Sequence, residues 1–333
     1  MALQAGAILR DRYKVLRPIG QGGMGSVYLA EDIRLSGRQC ALKEIIGDPN
    51  MTPEALQQAR VQFHREASVL ARLDHPNLPK VSDFFSYGDT DVLVMDYVAG
   101  QNLKSIMETA RTQGRFIPQP DILEWTRQIA DALLYLHGQE NPVVHRDIKP
   151  SNLKLTPSGL IKLVDFGLVK LMAPDERTVT VVQGRGSVYY TPLEQYGGDT
   201  GHTDVRADIY SLAATVYHLS TNEPPPEAKV RFLSADSLIP MRDINPRITA
   251  RTERAVIWAL SLHPDERPTH ISQFTQALFD GVFPAEDGTP VFVPETSGEW
   301  IREALADPTQ RYMAIAAGAL MLLAVIATLA GAR

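Results

Sequence analysis

Two carboxylates, an amide and a lysine stand at fixed spacing near the middle of the chain. The run His145-Arg146-Asp147-Ile148-Lys149-Pro150-Ser151-Asn152 is followed, thirteen residues after Asn152, by Asp165-Phe166-Gly167. Asp147 can orient a hydroxyl and accept its proton. Lys149, two residues on, can neutralise charge developing on a transferred phosphoryl group. Asn152 and Asp165 offer the oxygen ligands that magnesium takes, and such an ion carries much of the electrostatic work of phosphoryl transfer from ATP. Either run alone is a modest signal, whereas the pair at this separation is specific.

Upstream residues supply what a nucleotide would need. Gly20-Gln21-Gly22-Gly23-Met24-Gly25-Ser26-Val27 is a G-x-G-x-x-G-x-V element. Backbone without side chains can come close to a triphosphate and donate amide hydrogens to it. Dinucleotide-binding folds use a similar run, but there it joins a strand to a helix. Here strand-like Tyr13-Lys14-Val15-Leu16 precedes it and Val27-Tyr28-Leu29-Ala30 follows, which predicts a hairpin with Val27 over the base. In Ala41-Leu42-Lys43, strand alternation puts Ala41 beside the base and Lys43 toward the phosphates. Glu66, on the helix predicted from Pro53 to Leu73, is the natural partner of Lys43; Glu54 lies too near the start of that helix.

The elements that must hold these groups fall into two halves. Tyr13 to about Asp96 alternates strands and glycine turns around one helix, and Asp96-Tyr97-Val98-Ala99-Gly100 forms a hinge. Beyond it helices are predicted over 102–110, 120–137, 208–220, 251–261 and 269–279. The second carries Ile122, Trp125, Ile129, Leu133 and Leu136 at helical spacing, a core-facing stripe. The fold class is therefore α+β in two lobes, a small β-rich one and a larger helical one.

Residues 13–280 resemble the eukaryotic-like serine/threonine protein kinases of bacteria. The resemblance implies a first lobe over 13–95 and a second over 96–280, ATP and magnesium as cofactors with manganese as the alternative ion, and protein serines and threonines as substrates. It assigns Gly20, Gln21, Gly22, Gly23, Met24, Gly25, Val27, Ala41, Lys43, Met95, Asp96, Val98 and Lys154 to nucleotide binding, with Met95 as gatekeeper. Val81, Leu70, His145 and Phe166 resemble the hydrophobic spine that assembles in the active state, with Gly167 closing the triplet. Asp208 resembles the aspartate that fastens the catalytic loop, and Arg267 the arginine that pairs with the glutamate closing the activation segment, here Glu194. Arg146 is similar to the arginine that receives an activation-loop phosphate, for which Thr178 and Thr180 are the candidates. Ser187 and Thr191 are expected to shape the substrate platform instead.

Two departures from the family pattern stand out. Pro192-Leu193-Glu194 replaces the usual Ala-Pro-Glu, keeping the glutamate. Lys154 stands where an apolar residue usually floors the adenine pocket, and its aliphatic stem can serve if the ammonium reaches solvent.

Composition excludes several classes. A net charge of −6 argues against a nucleic-acid surface. One cysteine, Cys40, excludes an internal disulfide and fits a reducing compartment. The remaining histidines lack metal-ligand spacing, so zinc is not expected. Met313 to Ala330 is free of charge, and with Tyr312, Gly331 and Ala332 the apolar run reaches 21 residues. That length crosses roughly 30 Å of hydrocarbon as a helix. The resulting expectation is a single-pass membrane protein with a cytoplasmic catalytic domain, an irregular linker over 281–311, a membrane helix over 312–332, at most a three-residue tail outside, and self-association in the membrane. Two rival classes remain: a catalytically inactive kinase-fold scaffold, which would bind ATP without turnover, and a small-molecule kinase, which the extended segment from Asp165 to Glu194 disfavours.

Overall fold

Period-two alternation between Tyr13 and Asp96 sorts side chains onto the two faces of one antiparallel sheet. The computed structural model describes residues 3–22, 25–46, 52–88, 90–165, 187–196, 204–284 and 289–293. Strands β1 (Ile8–Leu9), β2 (Tyr13–Gly22), β3 (Gly25–Asp32), β4 (Gln39–Ile46), β5 (Val81–Tyr87) and β6 (Thr90–Asp96) pair in the order β1-β2-β3-β4-β6-β5. Val15, Tyr28, Ala30, Leu42, Val92 and Val94 gather on one face, where Leu3 and Leu9 close over them. Ala41, Leu93 and Met95 leave by the other face and join Phe63, Ala67 and Leu70 of α1 (Pro53–Leu70) in the main core. Helix α1 stops three residues short of the predicted Leu73 because the chain tightens there, the Leu73 amide donating to the Leu70 carbonyl at 3.1 Å.

The start of β3 lies against β4. Gly25 adopts φ +141, and a Cβ there would lie 1.9 Å from the Glu44 carbonyl oxygen. This glycine is dictated by the approach of two backbones, whatever a ligand also requires.

The second lobe follows the hinge with β7 (Gln101–Asn102), α2 (Leu103–Thr112), α3 (Gln119–His137), β8 (Leu153–Leu155), β9 (Ile161–Leu163), α4 (Val205–Thr221), α5 (Ala228–Leu233), α6 (Met241–Ile244), α7 (Ala250–Ala259) and α8 (Ile271–Thr275). Caps set several boundaries. The Asn102 side chain accepts the Ser105 amide at 2.8 Å and starts α2. Asp204 accepts the Arg206 amide at 2.8 Å, so α4 begins ahead of the predicted Asp208. Helix α4 is buried nearly all round, from Ala207 through Tyr217 without a break, and forms the axis of this lobe.

The small sheet β7-β8-β9 places the site residues. Leu153 of β8 faces Leu163 of β9, and the Val164 amide donates to the Asn152 carbonyl at 2.8 Å. A thirteen-residue separation in sequence is thereby folded into adjacency, with Asn152 and Asp165 leaving the same end of the hairpin.

The C-terminal expectations need correction. The helix predicted over 269–279 ends in a π turn (Gln276–Asp280), and the start of the stretch predicted as irregular linker forms the antiparallel pair β10 (Val282–Pro284) and β11 (Pro290–Phe292), residues 294–311 lying outside the described residues. Tertiary contacts impose it: Arg251 Nε donates to the Val293 carbonyl at 3.0 Å and Nη1 to the Phe279 carbonyl at 3.1 Å. Arg254 stacks over Phe283 at 4.7 Å, and Trp258 packs on the same ring. The membrane-spanning helix over 312–332 is not borne out, and with it fall the single-pass topology and membrane localisation; membrane self-association has no helix to support it. Among the described residues no helix is long and apolar enough to cross a membrane, and the apolar run itself lies outside them.

Candidate active site

A cleft of ≈ 770 Å³, open to solvent, separates the sheet from the helical lobe, and Gly20, Val27, Ala41, Lys43, Met95, Asp96, Val98, Asn152, Lys154 and Asp165 all line it. Strand registers explain the convergence. Val27 faces Lys43 across β3–β4, and Ala41 faces Met95 across β4–β6. The gap between lobes thus has an apolar inner wall with polar groups along its far rim. Gln21 and Gly22 complete β2, while Gly23 and Met24 lie outside the described residues.

On the sheet side, the Lys43 ammonium bonds to the Asp165 carboxylate. Burial alone would raise the Asp165 carboxyl, but the Lys43 charge beside it outweighs burial and holds it below the usual carboxylate range. Glu66, the expected partner of Lys43, is buried on α1 and accepts from Gln62 Nε2 at 2.8 Å. Asp165 has φ +65, a left-handed conformation that aspartate tolerates better than most side chains.

On the helical side, Lys149 Nζ donates to both Asp147 carboxylate oxygens at 2.8 Å and to Ser187 Oγ at 2.8 Å. Asn152 Nδ2 donates to the Asp147 carbonyl at 2.9 Å and to its Oδ2 at 2.8 Å. Asp147 is therefore held by a cation on one side and an amide on the other, leaving its amide partner's oxygen directed elsewhere. Ser187 is buried, and Thr191 Oγ1 donates back to its carbonyl at 2.8 Å, so both hydroxyls brace this segment.

Asp208 fixes the loop from below. Its Oδ2 accepts the His145 amide at 2.8 Å and its Oδ1 the Arg146 amide at 2.7 Å. His137 Nε2 lies 3.0 Å from Oδ2. Burial pushes the Asp208 carboxyl up, but the His137 hydrogen bond and the neighbouring histidines and amides pull it below its ordinary range. Arg146 sits at φ +65, a conformation that costs a non-glycine residue roughly 1–2 kcal/mol, and the paired Asp208 bonds hold it there. Its Nε and Nη1 are buried without a hydrogen-bond partner among the described residues.

Arg267 and Glu194 meet as foreseen. Arg267 donates to both Glu194 oxygens at 2.6 and 2.9 Å, and to the carbonyls of Ser261 and Leu262 at 2.7 and 2.8 Å. Its guanidinium lies 5.0 Å from the Tyr210 ring centroid. The Pro192-Leu193 substitution before Glu194 leaves this pair intact. Leu70, Val81 and His145 are all buried, whereas Phe166, Gly167, Thr178 and Thr180 lie outside the described residues.

Sequence reasoning missed part of the cleft lining. Ile19, Pro79, Ser151 and Val164 also face it. Ile19 and Val164 immediately precede Gly20 and Asp165, a positional signal that was legible; Pro79, on the connection into β5, carries none. Lys154 behaves otherwise than its position suggested. Instead of reaching solvent, its Nζ donates to the Val98 carbonyl of the hinge at 2.6 Å.

Comparison with known proteins fits this geometry. A family profile described as "Protein kinase domain" matches residues 13–279. A probable serine/threonine-protein kinase of Clostridium acetobutylicum is 32% identical over 279 residues, covering 82% of this chain and 40% of that protein. Serine/threonine-protein kinase PrkC of Bacillus subtilis is 34% identical over 269 residues, covering 79% of this chain and 39% of its own length. The chain thus spans about two fifths of the curated relatives it matches. Among solved structures, the PknI kinase domain of Mycobacterium tuberculosis superposes with a TM-score of 0.63 at 28% identity, covering 84% of this chain and 98% of that one. The apo form of PpkA-294 gives a TM-score of 0.66 at 26% identity over 83% and 99%.

Proposed function

This chain belongs to the protein kinase domain family, and from that premise we propose that it transfers the γ-phosphoryl group of ATP to serine or threonine hydroxyls of proteins. The observation that carries the reading is that Asp147, Lys149 and Asn152 are bonded to one another while Asn152 and Asp165 line one cleft, with Lys43 reaching Asp165 from the opposite lobe. Val27, Ala41 and Met95 would enclose the base, and the hinge would meet its edge.

In the proposed reaction the substrate oxygen bonds to the γ-phosphorus as the bond to the departing ADP oxygen breaks. The hydroxyl proton passes to Asp147. Lys149, already on both Asp147 oxygens, would keep that carboxylate placed, and would meet charge on the moving phosphoryl group. The donor set fits magnesium: a carboxylate and an amide oxygen are hard ligands, and such ions take one or two protein groups with phosphate oxygens completing the shell. Among the described residues no group of three or more His, Cys, Asp or Glu could hold a metal alone, which agrees with a site that depends on the nucleotide. When bound, the ion would be held by Asn152 and Asp165 and would supply charge neutralisation between the phosphates; manganese accepts the same ligands.

The two Arg146 nitrogens that are buried without a partner among the described residues suit a phosphate, and Thr178 and Thr180 are the proposed acceptors in the segment between Asp165 and Ser187. Transfer of labelled phosphate from Mg-ATP to the chain itself and to a generic basic protein tests the reading, with Asp147→Asn alongside. Phosphoserine or phosphothreonine from the parent but not the variant is the expected result. ATP binding without transfer would favour the scaffold, and phosphate on a metabolite but never on protein would favour a small-molecule kinase.

A further inference from the structure

We propose that Lys154 is a nucleotide-affinity residue whose ammonium joins the hinge carbonyl of Val98 to the base that occupies the cleft, an inference that rests on the nucleotide reading of that site. Three observations converge on it. Lys154 lines the cleft together with Val27, Ala41 and Met95, so its stem forms part of the surface a base would contact. Its Nζ is turned along the floor toward the hinge, 2.6 Å from the Val98 carbonyl oxygen and 5.4 Å from the Tyr97 ring centroid. No carboxylate lies within ion-pair distance of it among the described residues, in contrast to Lys43, which is paired with Asp165.

A half-buried ammonium with only neutral partners is poorly compensated, and burial pulls its pKa below the ordinary lysine value. One N–H is committed to Val98, which leaves two donors on a group that has no other acceptor charge nearby. A purine base brings the ring-nitrogen acceptors this cation lacks and adds a second π face to that of Tyr97, and closing the cleft over it strengthens each contact by excluding water. Lys154 therefore couples base binding to the position of the hinge.

The opposite residue of the strand pair supplies an internal control. Lys162 faces Lys154 across β8–β9, and its Nζ donates to the Leu78 carbonyl at 3.0 Å. Each lysine thus ties the small sheet to a chain connection at the lobe junction, but only Lys154 lines the cleft. A purely structural staple would be disturbed alike by loss of either ammonium.

Lys154→Met and Lys162→Met in the full chain separate these roles, with calorimetric binding of Mg-ATP and of adenosine and with thermal melting to verify folding. Lys154→Met is expected to weaken both ligands by about fivefold or more, the loss in the phosphotransfer assay falling in KM rather than kcat, while Lys162→Met shifts melting without that loss. Equal or tighter binding by Lys154→Met overturns the inference. So does weakening of ATP alone with adenosine unaffected, because a long-range charge effect would then suffice. If the parent binds neither ligand, the nucleotide reading of the cleft itself falls.

Discussion

The catalytic loop and the nucleotide cleft share residues yet are held by different kinds of contact. Under the loop, Asp208 has no exposed surface and accepts two backbone amides and a histidine. All its partners belong to the same lobe. In the cleft the polar contacts run between separate pieces of the chain: Lys43 on the sheet reaches Asp165 on the helical side, and Lys154 on β8 reaches Val98 in the hinge. A loop that must present one carboxylate at a fixed place is pinned by backbone hydrogen bonds that no ligand needs to displace. A cleft that must admit and release a charged ligand is spanned by side chains that can exchange partners. Placement is therefore settled before substrate arrives, whereas nucleotide capture is adjustable.

The comparison can be broken most severely at its chemical end. Asp147→Asn keeps the hydrogen-bonding shape but removes the proposed proton acceptor, and turnover should fall by about 10²–10⁴-fold with nucleotide affinity and melting temperature nearly unchanged. Asp208→Ala attacks the frame beneath. It strands the His145 and Arg146 amides and the His137 ring in a buried site, and equilibrium unfolding should show a loss of about 3–5 kcal/mol together with lost turnover. Lys43→Met attacks the adjustable region and should reverse the pattern. Turnover should drop by about 10²-fold, but unfolding free energy by less than about 1 kcal/mol, since the Asp165 end of that pair is open to solvent.

A smaller effect comes from pH. His218 of α4 lies 2.6 Å from the hydroxyl of Tyr190, the residue before Thr191. Burial, aided by the charges of Arg111 and Lys104, pushes its pKa down to about 4. The unfolded chain then takes up a proton below about 6.5 that the folded chain refuses, so its contribution to stability is complete above that pH and is lost as pH falls toward 4. Between pH 7 and 5 the folded state should lose about 2 kcal/mol from this group, and His218→Gln should flatten that part of the stability profile.

Much of the site could be read in advance because its members occupy short runs with fixed internal spacing. Asp147, Lys149 and Asn152 lie on one loop, so the spacing already constrains their geometry. The adjacency of Asn152 and Asp165 was expected only from their shared role toward magnesium, and the strand pair β8–β9 that produces it was not read from the sequence. Bounds of helices were less legible where caps decide them, as Asp204 does for α4. Tertiary partners that depart from the family pattern were hidden altogether. Nothing near Lys154 in sequence signals that its ammonium turns to the hinge rather than to water. Likewise the Pro-rich and Gly-rich composition after Asp280 suggested irregular chain, whereas Arg251, Arg254 and Trp258 on α7 fold that stretch into a hairpin. The apolar run at 312–332 satisfied a length criterion, but among the described residues no spanning helix supports it.

Amide hydrogen exchange with and without Mg-ATP tests the contrast between frame and cleft most directly. The His145 and Arg146 amides, both bonded to Asp208, should be strongly protected in the free protein and change little on adding nucleotide, while hinge residues 96–100 gain protection. Fast exchange at His145 and Arg146 that slows only when nucleotide binds would contradict the account, because the catalytic loop would then be assembled by the ligand rather than by Asp208.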